Sequence, residues 1–400
     1  MKYIVVLGDG MADEPIEELG GRTPLEYADT PTMDKMSKQA EVGLVHTIPE
    51  GMSPGSDTAN LSVLGYDPKR YYTGRSPLEA LSIGVDMKST DVALRCNIVT
   101  VSTDDLPYEE KTIIDHSSSE IGTEDAAVLL EAVRKELETD VYKFYVGTSY
   151  RHLTIWDHGE VVTLTPPHDV LGQKIGQYLP QDEILRKMQE KSYEILANHP
   201  INIERIKKGL NPANSLWFWG AGTRPCVTSF EEKNHKKGAM ISAVDLLKGI
   251  AIGADMKVLE VEGANGGLDT NYEGKAEAAV DVLLNEGYDM AYVHVEAPDE
   301  MGHQGSVERK IKAIENLDSR VIKVIKDALD KAGEDYRMLV MPDHPTPICV
   351  RTHTSNPVPY MLFDSTDIKE STLDYNEKCG KESGLFMANG YEMMNYLLSK

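Results

Sequence analysis

The chain has 400 residues, of which 41% are hydrophobic and 26% are charged, a composition typical of a globular protein. Its 65 acidic and 41 basic residues give a formal net charge of -24, which disfavours nucleic-acid binding because a polyanion would repel the phosphate backbone. The sequence contains no run of 18 apolar residues that would predict a membrane span.

The first elements of the chain predict a strand, a helix and then a second, short helix. Residues 3–7 form an apolar run that predicts a buried strand, and residues 32–39 predict a helix whose first turn accommodates Pro31. After the Pro54-Gly55 turn, Ser56 begins a short helix.

Apolar runs separated by helical segments return in the last third of the chain. Residues 257–261, 290–295 and 337–341 predict three short strands, and a helix follows Gly305. That helix has one apolar face, formed by Val307, Ile311, Ile314, Leu317, Val321 and Ile325. The pattern indicates an α/β fold with a mainly parallel sheet. Residues 390–400 predict a last surface helix.

The middle of the chain has a different pattern, with denser polar and turn residues and strands that look antiparallel. We therefore predict a smaller inserted α+β domain at 91–232 within a discontinuous core of 1–90 and 233–400. Residues 163–167 and 211–213 predict loops or linkers.

Acidic and histidine residues follow several of the predicted strands. Asp9 follows the first strand, Asp299 and His303 follow the strand at 290–295, and the last such group is Asp343, His344 and His353. Ligands of open parallel sheets bind beyond the carboxyl ends of the strands, so these residues are expected at one edge. Each alone is typical of a turn or cap residue, but together they predict a metal site that suits Mn, Zn, Co or Mg.

Ser56 has two interpretations. It is a helix N-cap, which is the simpler reading of a serine at this place. Alternatively its hydroxyl, beside the free amides of a helix N-terminus, is a nucleophile at a phosphate site.

Together these residues resemble the alkaline phosphatase superfamily and, within it, the cofactor-independent phosphoglycerate mutases of the archaeal type. The resemblance spans the chain and is carried by the segments 5–10, 54–59, 64–68, 72–75, 298–303 and 341–344. It implies an alkaline phosphatase-like core interrupted by an inserted domain that acts as a lid and grips the substrate.

The resemblance also implies a two-metal site without an organic cofactor. Asp9, Ser56, Asp343 and His344 would hold one divalent ion, and Asp299, His303 and His353 the other. Ser56 would be the catalytic nucleophile that carries the phosphate as phosphoserine while 3-phosphoglycerate and 2-phosphoglycerate interconvert, a step of glycolysis and gluconeogenesis.

A carboxylate or phosphate is best held by arginine, which donates two parallel hydrogen bonds. Candidate substrate-binding residues are Arg95, Arg151 and Arg224 in the insert; Lys275 and Arg75 in the core are weaker candidates.

Two alternatives stay open within the superfamily. In the mutases an arginine-containing segment typically occupies the place of residues 115–120, which here read Asp-His-Ser-Ser-Ser-Glu. This chain is similar there to a bacterial subgroup proposed to contain homoserine kinases, so a phosphotransferase acting on another small alcohol is one alternative. A metal-dependent phosphatase is the other.

The remaining expectations concern compartment and partners. Cys96, Cys226, Cys349 and Cys379 are scattered in a way that fits no disulfide framework, which predicts a reducing cytoplasm. We expect a small phosphorylated substrate, no nucleic-acid or membrane partner, and a monomer or small homo-oligomer.

Overall fold

The computed structural model describes residues 1–399, and the chain forms thirteen strands and sixteen α-helices within them. The strands are β1 (Lys2–Gly8), β2 (Ala40–Val45), β3 (Val92–Val101), β4 (Ile113–Asp115), β5 (Tyr142–Tyr145), β6 (Arg151–Trp156), β7 (Ser215–Thr223), β8 (Gly238–Ile241), β9 (Lys257–Leu259), β10 (Met290–Val295), β11 (Tyr336–Met341), β12 (Val358–Asp364) and β13 (Phe386–Met387).

The helices are α1 (Pro24–Tyr27), α2 (Pro31–Ser37), α3 (Ser56–Val63), α4 (Pro68–Tyr71), α5 (Arg75–Ser82), α6 (Thr123–Leu137), α7 (Glu183–Leu196), α8 (Pro200–Lys207), α9 (Phe230–Asn234), α10 (Asp245–Gly253), α11 (Tyr272–Leu284), α12 (Ala297–His303), α13 (Val307–Leu317), α14 (Lys323–Ala332), α15 (Glu377–Glu382) and α16 (Met393–Leu398). Short 3₁₀ turns occupy Glu17–Leu19, Tyr108–Glu110, Pro167–Val170, Gly176–Tyr178 and Gly390–Glu392.

Contacts divide the chain into two compact units, Met1–Tyr72 with Cys226–Lys400, and Thr73–Pro225. The sequence prediction placed the boundaries at 91 and 232 instead. Helix α5 belongs to the second unit because it packs on β3 and β7, where the Ser76 hydroxyl donates to the Gly220 carbonyl. Phe230 belongs to the first unit because its side chain is buried and its amide donates to the Ala254 carbonyl at 2.7 Å.

The first unit contains an eight-stranded sheet in the order β13-β2-β12-β11-β1-β10-β8-β9. β1 pairs in parallel with β10 and β11, and the antiparallel pairs are β11 with β12 and β12 with β2. This confirms the α/β class and the mainly parallel sheet. Every residue of β10 and β11 is buried, as expected for strands covered on both faces.

The helix predicted after Gly305 is one continuous helical run with a change in winding. Between α13 and α14, residues Asp318–Ile322 form a π-helical turn. The extra residue presents the Asp318 carboxylate to the start of α2, where it accepts from the Thr32 and Met33 amides at 3.1 and 2.6 Å. Leu317, Val321 and Ile325 all remain fully buried, as the apolar face predicted.

The end of the chain forms a 3₁₀ turn and helix α16, in agreement with the predicted last helix up to Leu398. Ser399 is not helical, and the predicted position 400 lies outside the described residues. Met393, Met394 and Leu397 are buried on its inner face.

The second unit contains the antiparallel sheet predicted for the middle of the chain. β3 is its central strand and pairs antiparallel with β4, β6 and β7, while β5 pairs antiparallel with β6. One face of this sheet packs on α6 and α7 through a core that includes Leu129, Leu185 and Phe218. The predicted loop at 211–213 lies outside regular structure, whereas the one at 163–167 runs into a 3₁₀ turn.

Among residues 1–399, no helix combines the length and the apolar character needed to cross a membrane.

Candidate metal centre and serine nucleophile

The parallel pairing of β1, β10 and β11 brings the residues after these strands to one edge of the sheet. Asp9 follows β1, Asp299 lies on α12 directly after β10, and Asp343 and His344 follow β11. All four are buried, at 6% exposure or less. The sheet register thus places them where the sequence predicted.

A first cluster of possible metal ligands consists of Asp9, His294 and Asp343, whose ligand atoms lie within 4.8 Å of one another. His294 Nε2 lies 3.0 Å from Asp9 Oδ2, and its Nδ1 lies 3.2 Å from the Ser242 hydroxyl. His294 was not among the predicted ligands because it lies inside strand β10 rather than after it. The available signal was a lone histidine in an otherwise apolar, fully buried strand.

A second cluster consists of Asp299, His344 and His353, also within 4.8 Å. His303 adjoins it, with its Nε2 3.1 Å from Asp299 Oδ2 and 3.1 Å from His353 Nε2. The structure therefore brings Asp299, His303 and His353 together, the set that the resemblance implied.

His344 lies between the two clusters. Its Nε2 is 3.5 Å from Asp9 Oδ1, 3.5 Å from Asp343 Oδ2 and 3.1 Å from Ser56 Oγ. The resemblance implied that His344 joins Asp9 and Asp343, whereas the group of ligand atoms within 4.8 Å of one another puts it with Asp299 and His353. The ring is placed to serve either position.

Ser56 is the first residue of α3, and it does not cap that helix. The N-cap position is Gly55, and no side chain makes a capping hydrogen bond there. The Ser56 hydroxyl instead lies 3.4 Å from Asp9 Oδ2 and 3.1 Å from His344 Nε2. The N-cap interpretation is therefore wrong, and the hydroxyl points into the acidic cluster beside the free amides of a helix N-terminus.

Several buried carboxylates converge at this edge without enough cations. Burial, followed by the charges of Asp343 and Asp299, raises the pKa of Asp9 well above its usual range. Asp9 Oδ1 is buried and accepts no hydrogen bond. A bound divalent cation would supply the missing partner and charge, so these residues fit the metal ions that the family resemblance implies.

In the second cluster, hydrogen bonds between histidines and Asp299 shift the pKa values of Asp299 and His303. Burial alone would raise the pKa of Asp299, but hydrogen bonds from His303 and His353 hold it well below its usual range. The hydrogen bond to Asp299 raises the pKa of His303 to about 9.

A hydrogen-bond chain orients Asp343. Asn60 Nδ2 donates to Asp343 Oδ2 at 2.8 Å, and the Tyr292 hydroxyl donates to Asn60 Oδ1 at 2.6 Å. The tyrosine bond fixes which end of the Asn60 amide faces the carboxylate. Such supporting residues cannot be found from spacing, because they lie on separate elements that only the fold brings together.

Lys275 lies on α11 in the first unit and is fully buried. Its Nζ donates to the His294 carbonyl at 3.0 Å, and burial lowers its pKa to about 8. Glu296 is its electrostatic neighbour, and burial together with Glu300 raises the pKa of Glu296 to about 7. The predicted substrate-binding lysine thus contacts the strand that carries His294.

The second unit has its own cluster of aromatic and cationic side chains, which we call the ring cluster: Tyr150, His116, His168 and Trp219, with Arg95 and Arg151. Successive ring centroids lie 5.7, 6.2 and 5.4 Å apart. The Arg95 guanidinium lies 4.4 Å from the Trp219 ring centroid, and that of Arg151 lies 5.6 Å from the Tyr150 centroid.

The predicted arginines differ in their hydrogen-bond and ion-pair partners. Arg95 is buried and binds the Glu79 carboxylate through Nη2 at 2.8 Å and Nε at 2.9 Å. Arg151 is exposed. Arg224 donates to the Met87 carbonyl at 2.9 Å, and Arg75 lies 3.2 Å from Glu79 Oε1. The structure thus brings Arg95 and Arg151 to the ring cluster and gives Arg224 a backbone partner.

The segment at residues 115–120 is a tight turn organised by Asp115. Ser118, Ser119 and Glu120 all have positive φ. Burial works against ionisation, but hydrogen bonds from Asn211 and from the Ser117 and Ser119 amides lower the pKa of Asp115 to about 2. The turn carries His116 to the ring cluster.

Comparisons with known proteins agree with these features. The family model for 2,3-bisphosphoglycerate-independent phosphoglycerate mutase matches residues 37–202. A probable 2,3-bisphosphoglycerate-independent phosphoglycerate mutase of Geobacter sulfurreducens is 47% identical over 100% of both chains. The 2,3-bisphosphoglycerate-independent phosphoglycerate mutase of Methanosarcina barkeri is also 47% identical, over 100% of this chain and 99% of its own.

Two solved structures share the fold. A protein from Pyrococcus horikoshii has a TM-score of 0.83 and 31% identity, over 99% of this chain and 96% of its own. The cofactor-independent phosphoglycerate mutase of Thermoplasma acidophilum has a TM-score of 0.68 and 28% identity, over 100% of this chain and 99% of its own. At 47% identity over its full length, this chain belongs to the family of 2,3-bisphosphoglycerate-independent phosphoglycerate mutases.

Proposed function

We propose that this chain interconverts 3-phosphoglycerate and 2-phosphoglycerate through a phosphoserine at Ser56. The observation that carries the proposal is the position of the Ser56 hydroxyl, at a helix N-terminus and within 3.4 Å of both Asp9 and His344. The full-length relatives named as phosphoglycerate mutases support the same substrate.

The centre would hold two divalent cations, drawn from Mn, Zn, Co and Mg, because oxygen and imidazole donors suit these ions. One would lie at Asp9 and Asp343 with His294, and the other at Asp299 with His303 and His353, with His344 between them. When bound, such a pair of cations lowers the pKa of a serine hydroxyl and stabilises the charge that develops during phosphoryl transfer.

The residues of the chain perform the transfer in two halves. Ser56 Oγ attacks the phosphorus, its bond to phosphorus forms as the bond to the 3-oxygen breaks, and the hydroxyl proton ends on the freed oxygen. Glycerate then turns, and its 2-oxygen attacks the phosphoserine. The bond from the 2-oxygen to phosphorus forms as the bond from Ser56 Oγ to phosphorus breaks, and the 2-hydroxyl proton returns to Ser56 Oγ. The amides at the start of α3 donate to the phosphate oxygens in both halves.

Glycerate must be retained between the two halves, because its escape would leave the phosphoserine to water. We assign the binding of its carboxylate to the ring cluster of the second unit. Exposed Arg151 is the free guanidinium there, whereas Arg95 is already bound to Glu79. A lid role for the second unit would also exclude water from the transfer.

One observation favours a second candidate, phosphotransfer to another small alcohol such as homoserine. The turn at residues 115–120 offers the exposed carboxylate of Glu120 and contributes no arginine of its own, next to His116 of the ring cluster. Such a surface suits a substrate that carries an ammonium group or fewer negative charges than phosphoglycerate.

Trapping the covalent intermediate distinguishes these candidates. Metal-loaded protein is mixed with 3-phosphoglycerate, quenched in acid and digested, and the peptide containing Ser56 is analysed by mass spectrometry. The proposal predicts phosphate on Ser56, and no phosphopeptide from the Ser56→Ala variant. Phosphorylation by ATP alone, with transfer to homoserine and none from phosphoglycerate, would instead establish the second candidate.

A further inference from the structure

The Thr346 hydroxyl contacts two members of the second cluster, Asp299 and His344. Thr346 lies on the loop after β11, and its side chain is fully buried. The hydroxyl donates to Asp299 Oδ1 on α12 and lies 3.3 Å from His344 Nδ1. A residue of α12 and a residue of the loop after β11 therefore share one hydrogen-bonding atom.

The single proton of this hydroxyl constrains the state of the His344 ring. An ionised carboxylate only accepts, so the hydroxyl proton is directed to Asp299. Thr346 Oγ1 is then an acceptor towards His344, which requires the proton of the ring to sit on Nδ1. The Nε2 lone pair is left free, and Nε2 is the atom that faces Ser56 Oγ at 3.1 Å and Asp9 Oδ1 at 3.5 Å.

Buried Lys310 fixes the backbone of Thr346. Its Nζ donates to the Thr346 carbonyl at 2.8 Å, to Asp13 Oδ2 at 2.7 Å and to the Ala12 carbonyl at 3.3 Å. Three ammonium protons thus meet three acceptors, and the loop after β1 is tied to the loop after β11. Gly302 packs so closely that a Cβ there would lie 2.6 Å from the Thr346 carbonyl oxygen.

We propose that Thr346 is a positioning residue of the metal centre, whose hydroxyl holds His344 as the Nδ1-protonated tautomer and fixes the rotamer of Asp299, with Lys310 holding its backbone. The inference rests on the proposed metal centre and adds a group that does not itself bind the ions. Hydrogen-bonding partners of metal ligands commonly set ligand orientation and tautomer in this way.

Cation binding by the metal-free protein tests the inference without any turnover. Thr346→Val removes the hydroxyl at nearly constant shape, and Thr346→Ser keeps it. Chelator-treated proteins are titrated with Co²⁺ by calorimetry and visible absorption. We expect about 10–100-fold weaker binding in Thr346→Val and within about 3-fold of the unmodified protein in Thr346→Ser.

Nuclear magnetic resonance of ¹⁵N-histidine-labelled, metal-free protein reads the tautomer directly. The His344 ring should be protonated at Nδ1 in the unmodified protein and in Thr346→Ser. In Thr346→Val the ring should populate both tautomers. A loss of packing alone would not shift the tautomer equilibrium of His344 in Thr346→Val while leaving it unchanged in Thr346→Ser.

Thr30→Val is the matched control. Thr30 is also buried, and its hydroxyl also donates to an aspartate, Asp34, at 3.1 Å, but neither residue belongs to the metal clusters. Its Co²⁺ affinity should be unchanged. Thr346→Ala, judged by the same titration, replaces Thr346→Val if the latter does not fold.

Three results would overturn the inference: Co²⁺ affinity in Thr346→Val equal to that of the unmodified protein, equal weakening in Thr346→Val and Thr346→Ser, or an Nε2-protonated His344 ring in the metal-free protein. Failure of the unmodified protein to bind Co²⁺ at all would overturn the proposed metal centre as well, which separates the two failures.

Discussion

Ser56 illustrates how position rather than residue type makes a nucleophile. The residue begins α3, but Gly55 holds the N-cap position, so the hydroxyl is not engaged with its own helix. It points to Asp9 and His344, where its proton has acceptors on two sides. The sequence made Ser56 a candidate, and only the geometry separates the two interpretations of it.

Replacing Ser56 by alanine should abolish phosphoryl transfer and leave the fold intact. We expect kcat for 2-phosphoglycerate formation to fall about 10³-fold or more, because no other group takes the phosphate. The free energy of unfolding in urea should change by less than about 1 kcal/mol, since the hydroxyl caps no helix.

Ser62→Ala on the same helix is the control, because its buried hydroxyl makes no hydrogen bond. It should retain nearly full turnover. A Ser56→Ala protein that still turned over near the original rate would remove Ser56 from the mechanism.

His294 is the candidate ligand that spacing did not reveal. We expect His294→Gln to weaken Mn²⁺ binding at least about 10–100-fold, because the Asp9 and Asp343 cluster loses an imidazole. Isothermal titration of metal-free protein measures the change.

His152→Gln provides the comparison for His294→Gln, since His152 is equally buried but lies in the second unit. Its Mn²⁺ affinity should match that of the unmodified protein. Equal affinities in the two variants would mean that His294 only packs and hydrogen-bonds.

At the scale of elements, the predicted helices and strands agree best with the structure where the hydrophobic periodicity of the sequence is strongest. Strand Met290–Val295 and the apolar face after Gly305 were predictable because a buried parallel strand and an amphipathic helix leave strong patterns. The π-turn at Asp318–Ile322 was not, because it coincides with long-range hydrogen bonds that Asp318 accepts from the start of α2 and that leave no periodic pattern.

The residues of the site also include some that the sequence could predict and some that it could not. Asp9, Asp299, Asp343 and His344 follow strands and could be found from that position. His294, Asn60 and Tyr292 could not be found in this way. They lie inside a strand or a helix, and they acquire their roles through contacts with residues about 230 or more positions away in the sequence.

The turn at residues 115–120 should depend on the ionised Asp115 carboxylate. Its pKa is lowered to about 2 in the folded chain, against about 3.9 when unfolded. The ionised group therefore stabilises the fold above about pH 4, and this contribution is lost as the pH falls towards 2. Because the group is partly exposed, we expect Asp115→Asn to cost only about 1 kcal/mol at pH 7.

Urea unfolding at pH 7 and at several values below pH 4 measures this difference. The gap between Asp115→Asn and the unmodified protein should shrink at low pH, whereas the exposed Asp105→Asn should show little cost at any pH. A gap that stayed constant with pH would show that ionisation of Asp115 does not stabilise the turn.

At the scale of the whole molecule, charge is the main constraint. A chain with a net charge of -24 that binds an anionic substrate needs local positive charge. In our account divalent cations supply it in the first unit and the guanidinium of Arg151 supplies it in the second.

Arg151→Ala should therefore raise KM for 3-phosphoglycerate about 10-fold, the loss expected for one charge-assisted contact. Steady-state kinetics measures the change. Arg134→Ala is matched in charge and unit, but its guanidinium lies on α6 and pairs with Glu131 and Glu138, so KM should hardly move. The same KM in both variants would place the carboxylate-binding group elsewhere.

The most direct test of the account is an enolase-coupled assay of 2-phosphoglycerate formed from 3-phosphoglycerate, with added Mn²⁺ and with a chelated control. We predict sustained product formation that the chelator abolishes and Mn²⁺ restores. A folded, Mn²⁺-loaded protein that forms no 2-phosphoglycerate, or one whose activity the chelator leaves unchanged, would contradict the account of a metal-dependent phosphoglycerate mutase.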